Sequence, residues 1–128
     1  MINVKADIYA ALVAGCTGTG HTGADVSDEY PKEWKKFPKV TFTEEQNTVF
    51  EWTDNEEKSA RIGYRIDVWD KTSTSAVATE VDAVMASLGF LRTMAMDSPV
   101  PEAYKHRQMR YEAILCVDDD NVYHDNYY

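Results

Sequence analysis

The run ARIGYRIDVWD, residues 60–70, constrains this chain more than any other stretch. Ile62, Tyr64, Ile66 and Val68 recur at every second position, with Arg61, Arg65, Asp67 and Trp69 interleaved. A period of two is that of a strand with one face in a core. Such alternation belongs to half-buried antiparallel sheets, whereas parallel strands covered on both faces read as continuous apolar runs. The chain therefore needs further strands to flank this one. FPKVTFTEEQN places Val40 and Phe42 on one face and Lys39, Thr41 and Thr43 on the other, with Pro38 at a strand start or edge. TVFEW follows, with Phe50 and Trp52 on one side, and then TDNEEKS as a polar loop. KHRQMRYEAILCV is a last long strand: Met109, Tyr111, Ala113, Leu115 and Val117 face in, and Gln108, Arg110 and Glu112 face out. FLRTMAM reads as a shorter strand, and DSPVPEAY, with Pro99 and Pro101, as a turn or loop.

Elsewhere the period changes to that of a helix. Over residues 2–14, Val4, Ile8, Ala11 and Leu12 recur at helical spacing; Asn3 caps the start and Gly15 ends the helix. In KTSTSAVATEVDAVMASLGF the apolar stripe is Val77, Val81, Val84, Met85 and Leu88. Ser73 or Thr74 is its N-cap and Gly89 its C-cap, with Phe90 packing back on the last turn. Helix, strands, helix, strand, strand is an α+β order: an antiparallel β-sheet with two main helices packed on one face, in a single domain. The 128 residues suit one domain, and no repeat or compositional break divides them. The expected domain covers residues 1–117. Residues 118–128, DDDNVYHDNYY, have four Asp and no Lys or Arg, and are expected to form a loose tail or an arm ordered by a partner. They do not match a calcium loop.

GCTGTGHTG, residues 15–23, tests for nucleotide chemistry. Gly15, Gly20 and Thr22 have phosphate-loop spacing, but His21 stands where the lysine belongs. A phosphate loop also needs a strand before the glycines and a helix after them, and here the expected order is reversed. The glycines therefore read as a helix stop and a Gly/Thr loop. His21, His106 and His124 have no second ligand at metal spacing, and no serine lies in a nucleophile turn. Asp67 shares a face with Arg65, which reads as an ion pair rather than acid–base machinery. Cys16 and Cys116 read as small apolar residues of a reduced environment. No enzyme activity, cofactor or metal is expected. The net charge of −9 argues against gripping nucleic acid. MINVKADIYAALVAG is too interrupted for a signal peptide, and no stretch is long enough to cross a bilayer. Trp69, on a polar face, either covers local structure or lies in a protein contact, where Trp, Tyr and Arg are enriched. Tyr123, Tyr127 and Tyr128 suit an arm that docks onto a neighbour.

FPKVTFTEEQN, YRIDVWDK, MASLGFLR and KHRQMRYEAIL, in this order, resemble the tail-terminator or tail-completion proteins of long-tailed bacteriophages. The resemblance runs from about Phe37 to Val117 and does not include the Gly/Thr loop or the acidic tail. It implies a non-catalytic α+β subunit of a homo-hexameric ring, located at the tail–head junction of the virion and assembled in the host cytoplasm. Such a ring caps the tail tube and joins it to the head connector, so its partners are further copies of itself, the tail tube protein and the head completion protein. Genome DNA would pass through the lumen without specific binding, as an acidic subunit favours. The interface residues expected on this reading are Arg61, Arg65, Asp67 and Trp69, then Arg110 and Glu112, with Tyr123, Tyr127 and Tyr128 from the tail. The alternatives are another neck or minor capsid protein and, from a different class, a small nucleotide-binding enzyme with a degenerate phosphate loop.

Overall fold

The strands built on this alternation form the frame of the computed structural model, which describes residues 3–16, 23–28, 38–53, 56–98, 105–116 and 122–123. Helix α1 (Lys5–Cys16) leads to β1 (Asp25–Asp28), then β2 (Lys39–Thr53) and β3 (Glu56–Asp70). Helix α2 (Ser75–Ser87) follows, then β4 (Leu91–Asp97), β5 (Lys105–Cys116) and the short β6 (Val122–Tyr123). The six-stranded sheet has the order β1-β2-β3-β5-β4, and β6 pairs with β5. The fold is α+β, with the two helices on one face.

Ile62, Tyr64, Ile66 and Val68 of β3 are all buried, as their alternation requires. They meet Val40 and Phe42 of β2 and Met109 and Tyr111 of β5 in one cluster, closed by Ile8 and Leu12 of α1 and Val77, Val81 and Met85 of α2. Each such side chain contributes roughly 1.5–3 kcal/mol by leaving water. A chain of ring contacts crosses this core, from Tyr9 to Phe42 (6.2 Å), Phe42 to Tyr64 (6.4 Å) and Tyr64 to Phe90 (6.3 Å, edge-on).

The C-terminus of α2 forms as read. Gly89 has φ +88°, its N–H reaches the Ala86 carbonyl, and the Phe90 N–H reaches Met85 O at 2.9 Å. This paired closure leaves Phe90 buried against the helix. At the start of α2, Thr74 is the N-cap but makes no side-chain cap bond. The Ser73 hydroxyl accepts from the Ser75 N–H instead. At α1, Asn3 Oδ1 accepts the Lys5 N–H at 3.2 Å, the expected cap.

Four expectations differ. Gly15 does not end α1, which runs on to Cys16. A Cβ at Gly15 would overlap Val84 Cγ2, so this glycine is where α1 and α2 approach. The helix stops one residue later, where the Cys16 carbonyl accepts the N–H groups of both Gly23 and Ala24. DVSD is a strand, and it pairs in parallel with β2, so the sheet is antiparallel except at that edge. Most of TDNEEKS is not loop. β2 reaches Thr53 and β3 starts at Glu56, with only residues 54 and 55 between them. Within the acidic tail, Val122 and Tyr123 pair with Leu115 and Ile114, beyond the end of β4 on the same edge of β5. Val117 and the Gly/Thr residues 17–22 lie outside the described residues.

Candidate interaction face

The sheet face away from the helices collects the residues that alternate with the core. Cross-strand register aligns Lys39, Trp69 and His106 in one row, Thr41, Asp67 and Gln108 in the next, and Thr43, Arg65, Arg110 and Met94 in a third. The period of two thus brings Arg65, Asp67, Trp69 and Arg110 together on this face, as read from sequence.

Their interactions form a continuous network. Asp67 Oδ2 accepts from Arg65 Nε at 3.1 Å, and Asp67 Oδ1 lies 2.7 Å from His106 Nε2. The His106 ring stacks on the Trp69 indole at 3.7 Å with an interplanar angle of 2°. Trp69 Nε1 donates to Thr41 Oγ1 at 3.4 Å. On the other side, Arg110 grips Glu45 with two donors, Nε at 2.8 Å and Nη2 at 3.4 Å. Arg65 Nη1 also reaches Glu45 Oε2, at 3.8 Å. The bonds to Glu45 raise the pKa of the Arg110 guanidinium above its ordinary value. Asp67 does form the expected pair with Arg65, but it is 3% exposed and so is no surface carboxylate. Two partners make that burial tolerable, since an unpaired buried charge is costly.

The middle of the face is closed. Lys39 and Thr41 are buried with Asp67, and Lys39 Nζ sits 2.8 Å from Asp25 Oδ2; Ser59, toward the far end of β3, is buried too. Among the described residues, the hydroxyls of Ser27, Thr43 and Ser59 are buried with no hydrogen-bond partner. Among the described residues, no His, Cys, Asp or Glu cluster has the makings of a metal site. Among those residues, too, no helix is long and apolar enough to cross a membrane.

The other expected interface residues sit further out. Arg61 stands near the end of the sheet with its guanidinium 5.6 Å from the Phe50 ring centroid. Glu112 is opposite Gly63 and Leu91. Tyr123 belongs to β6 and pairs with Ile114 through its backbone. Tyr127 and Tyr128 lie outside the described residues. Glu45 and His106 were not singled out as interface residues in the sequence, although the structure puts both at the centre of the network. The signal for His106 is its register opposite Trp69, which appears only once β3 and β5 are aligned.

Past Cys116 of β5, the β2–β3 pair continues, among the described residues, as a two-stranded ribbon. Ser59 is the last β3 residue paired to β5, while β2 and β3 stay paired out to Thr53 and Glu56. Thr48, Val49 and Phe50 are successively exposed near its base. Bulges at Glu44/Gln46 and Val49/Glu51 bend this part of β2.

Comparison with protein-family models gave no match, and comparison with curated proteins gave none.

Proposed function

We propose that this protein is a non-catalytic assembly subunit of a long-tailed bacteriophage: a tail terminator that forms a ring, probed first as a hexamer, on the head-proximal end of the tail tube and joins it to the head connector. The observation that carries this reading is how the four resembling segments sit together. FPKVTFTEEQN enters β2, YRIDVWDK ends β3, MASLGFLR is the turn from α2 into β4, and KHRQMRYEAIL is β5. They supply four neighbouring elements of one sheet and its crossover helix, so the likeness describes one structural unit rather than scattered words. The polar face supports the same reading. Its carboxylates and cations are tied to one another instead of converging on a cleft. In the ring, the acidic subunit would let DNA pass without holding it.

The test is electron microscopy of particles produced without the protein. Tails of irregular length that fail to join heads are expected, and normal joined tails would overturn the proposal. Labelling of intact virions distinguishes a terminator from another neck or minor capsid protein by whether the signal lies at the tail–head junction. The nucleotide-binding alternative meets an unfavourable order, with α1 before the Gly/Thr segment and β1 after it. Calorimetry with ATP and magnesium tests it, with no binding expected.

A further inference from the structure

Two edges of the sheet lack a neighbouring strand, and they lie on opposite sides. β1 pairs with β2 only from Lys39 to Phe42. Among the described residues, no strand lies beside residues 43–53 on that outer edge. At the far side, β4 pairs among the described residues with β5 alone. Both stretches carry exposed apolar side chains. On β2, Val49 is 52% and Phe50 53% exposed; on β4, Leu91 is 42% and Met96 46% exposed. Open edges present rows of N–H and C=O groups that invite another strand, and soluble proteins commonly guard them with Lys or Pro. Neither residues 43–53 nor β4 contains Lys or Pro, and the guard they do carry is irregular pairing, at Glu44/Gln46 and Val49/Glu51 on β2 and at Arg92/Met94 on β4.

We propose that a second copy of this chain seats its β4 edge on residues 43–53 of β2, so that the sheet runs on from subunit to subunit. This rests on the ring reading and names the contact that would build the ring. Direction favours it. Successive pairs β2–β3, β3–β5 and β5–β4 are all antiparallel, so β4 runs opposite to β2. A copy in the same orientation therefore meets β2 as an antiparallel strand, the more stable ladder. Length fits, because the open stretch of β2 exceeds the seven residues of β4. Leu91 can lie opposite Val49 or Phe50, while Met96, five residues further along β4, then falls beside Glu44 or Glu45. Charge separates β4 from a second β2 edge: residues 43–53 hold Glu44, Glu45 and Glu51 and no basic residue, while β4 carries one Arg, Arg92, paired to Asp82, and one Asp, Asp97. Pairing β2 with β2 would set those carboxylates against their own copies, which is unfavourable. Two unlike edges make a head-to-tail contact, which closes into a ring when the rotation per subunit divides the circle.

Native mass spectrometry of the purified chain tests the pairing with two double variants, Val49→Glu/Phe50→Glu on β2 and Leu91→Glu/Met96→Glu on β4. The unmodified chain is expected to form a closed oligomer, and each variant alone to lose it. Mixed in equal amounts, the two variants should give a dimer and nothing larger, because one sound β2 edge and one sound β4 edge remain. A β4 variant that assembles as the unmodified chain does, or a mixture without dimer, overturns the inference. Hydrogen exchange on the unmodified chain guards against a variant that misfolds. Amides in residues 43–53 and 91–97 should slow on assembly, and slowing confined elsewhere overturns the pairing. An unmodified chain that stays monomeric also overturns the edge contact, while the ring reading is judged separately by tails made without the protein.

Discussion

Asp67 holds the helix-free face together, because its two oxygens serve Arg65 and His106 from a nearly dry position. Asp67→Ala removes both charge-assisted bonds, and a loss of about 2–3 kcal/mol is expected in urea unfolding. Trp69→Ala removes the flat stack on His106; a cost of about 1 kcal/mol in stability is expected, with the fold retained and assembly weakened. Unchanged assembly by native mass spectrometry would make Trp69 a purely local cover. Alkaline pH acts on other residues. Burial, with a smaller contribution from Glu80, pushes the Cys16 thiol up to about 11. Burial also raises the phenols of Tyr64 and Tyr111, helped by Glu44 and Asp82. Each group holds its proton more tightly when folded, so the stabilisation is complete below the ordinary unfolded pKa and lost as pH climbs toward the folded one. Urea midpoints should therefore fall from about pH 8.5 upward, the Cys16 part first and the tyrosines above about pH 10. Cys16→Ala should flatten the first part. At this scale the sequence revealed which face Arg65, Asp67, Trp69 and Arg110 occupy, because alternation determines it. It did not reveal that Glu45 and His106 complete the network, because those contacts depend on register between strands far apart in the chain.

Among the elements, the contact between α1 and α2 at Gly15 is the most sensitive to substitution. Alanine at an ordinary helical glycine gains about 1 kcal/mol. At Gly15 the added methyl would overlap Val84 Cγ2, so a side chain or a helix must shift, and a net loss of about 1–3 kcal/mol is expected. The double variant Gly15→Ala/Val84→Ala should lose less than the sum of the two single changes, and simple additivity would show that the helices do not meet there. The glycine was legible as punctuation but not as a packing position, since both roles look alike until the second helix is in place. Gly89, by contrast, was read correctly, because an apolar residue directly after it marks the closure seen at Phe90. β1 escaped a firm reading as a strand because its four residues, with Val26 alone apolar, are too few to show a period.

For the whole molecule, charge and shape pull in different directions. A subunit of net charge −9 repels its copies, and salt shortens the reach of that repulsion from about 10 Å at 0.1 M to about 3 Å at 1 M. Raising the salt should shift the chain toward the proposed oligomer in sedimentation experiments; a shift toward monomer would mean that ion pairs hold the contact instead. The α+β class was legible because the periods change cleanly from two to 3.6 and back. The ribbon was not, since EEKS looks like loop composition until it is paired with β2. That ribbon has a kinetic consequence. Two strands with no third beside them among the described residues are marginal in water, so this end of the sheet is the first to open. In the proposed ring, a subunit that must settle its own ribbon before a neighbour can use it would make a poor first contact and a better second one. A closed ring also makes one more contact than an open row of the same number of subunits. In the proposed ring, partly built rows would then be short-lived, and the chain would pass from free copies to the closed assembly with little in between.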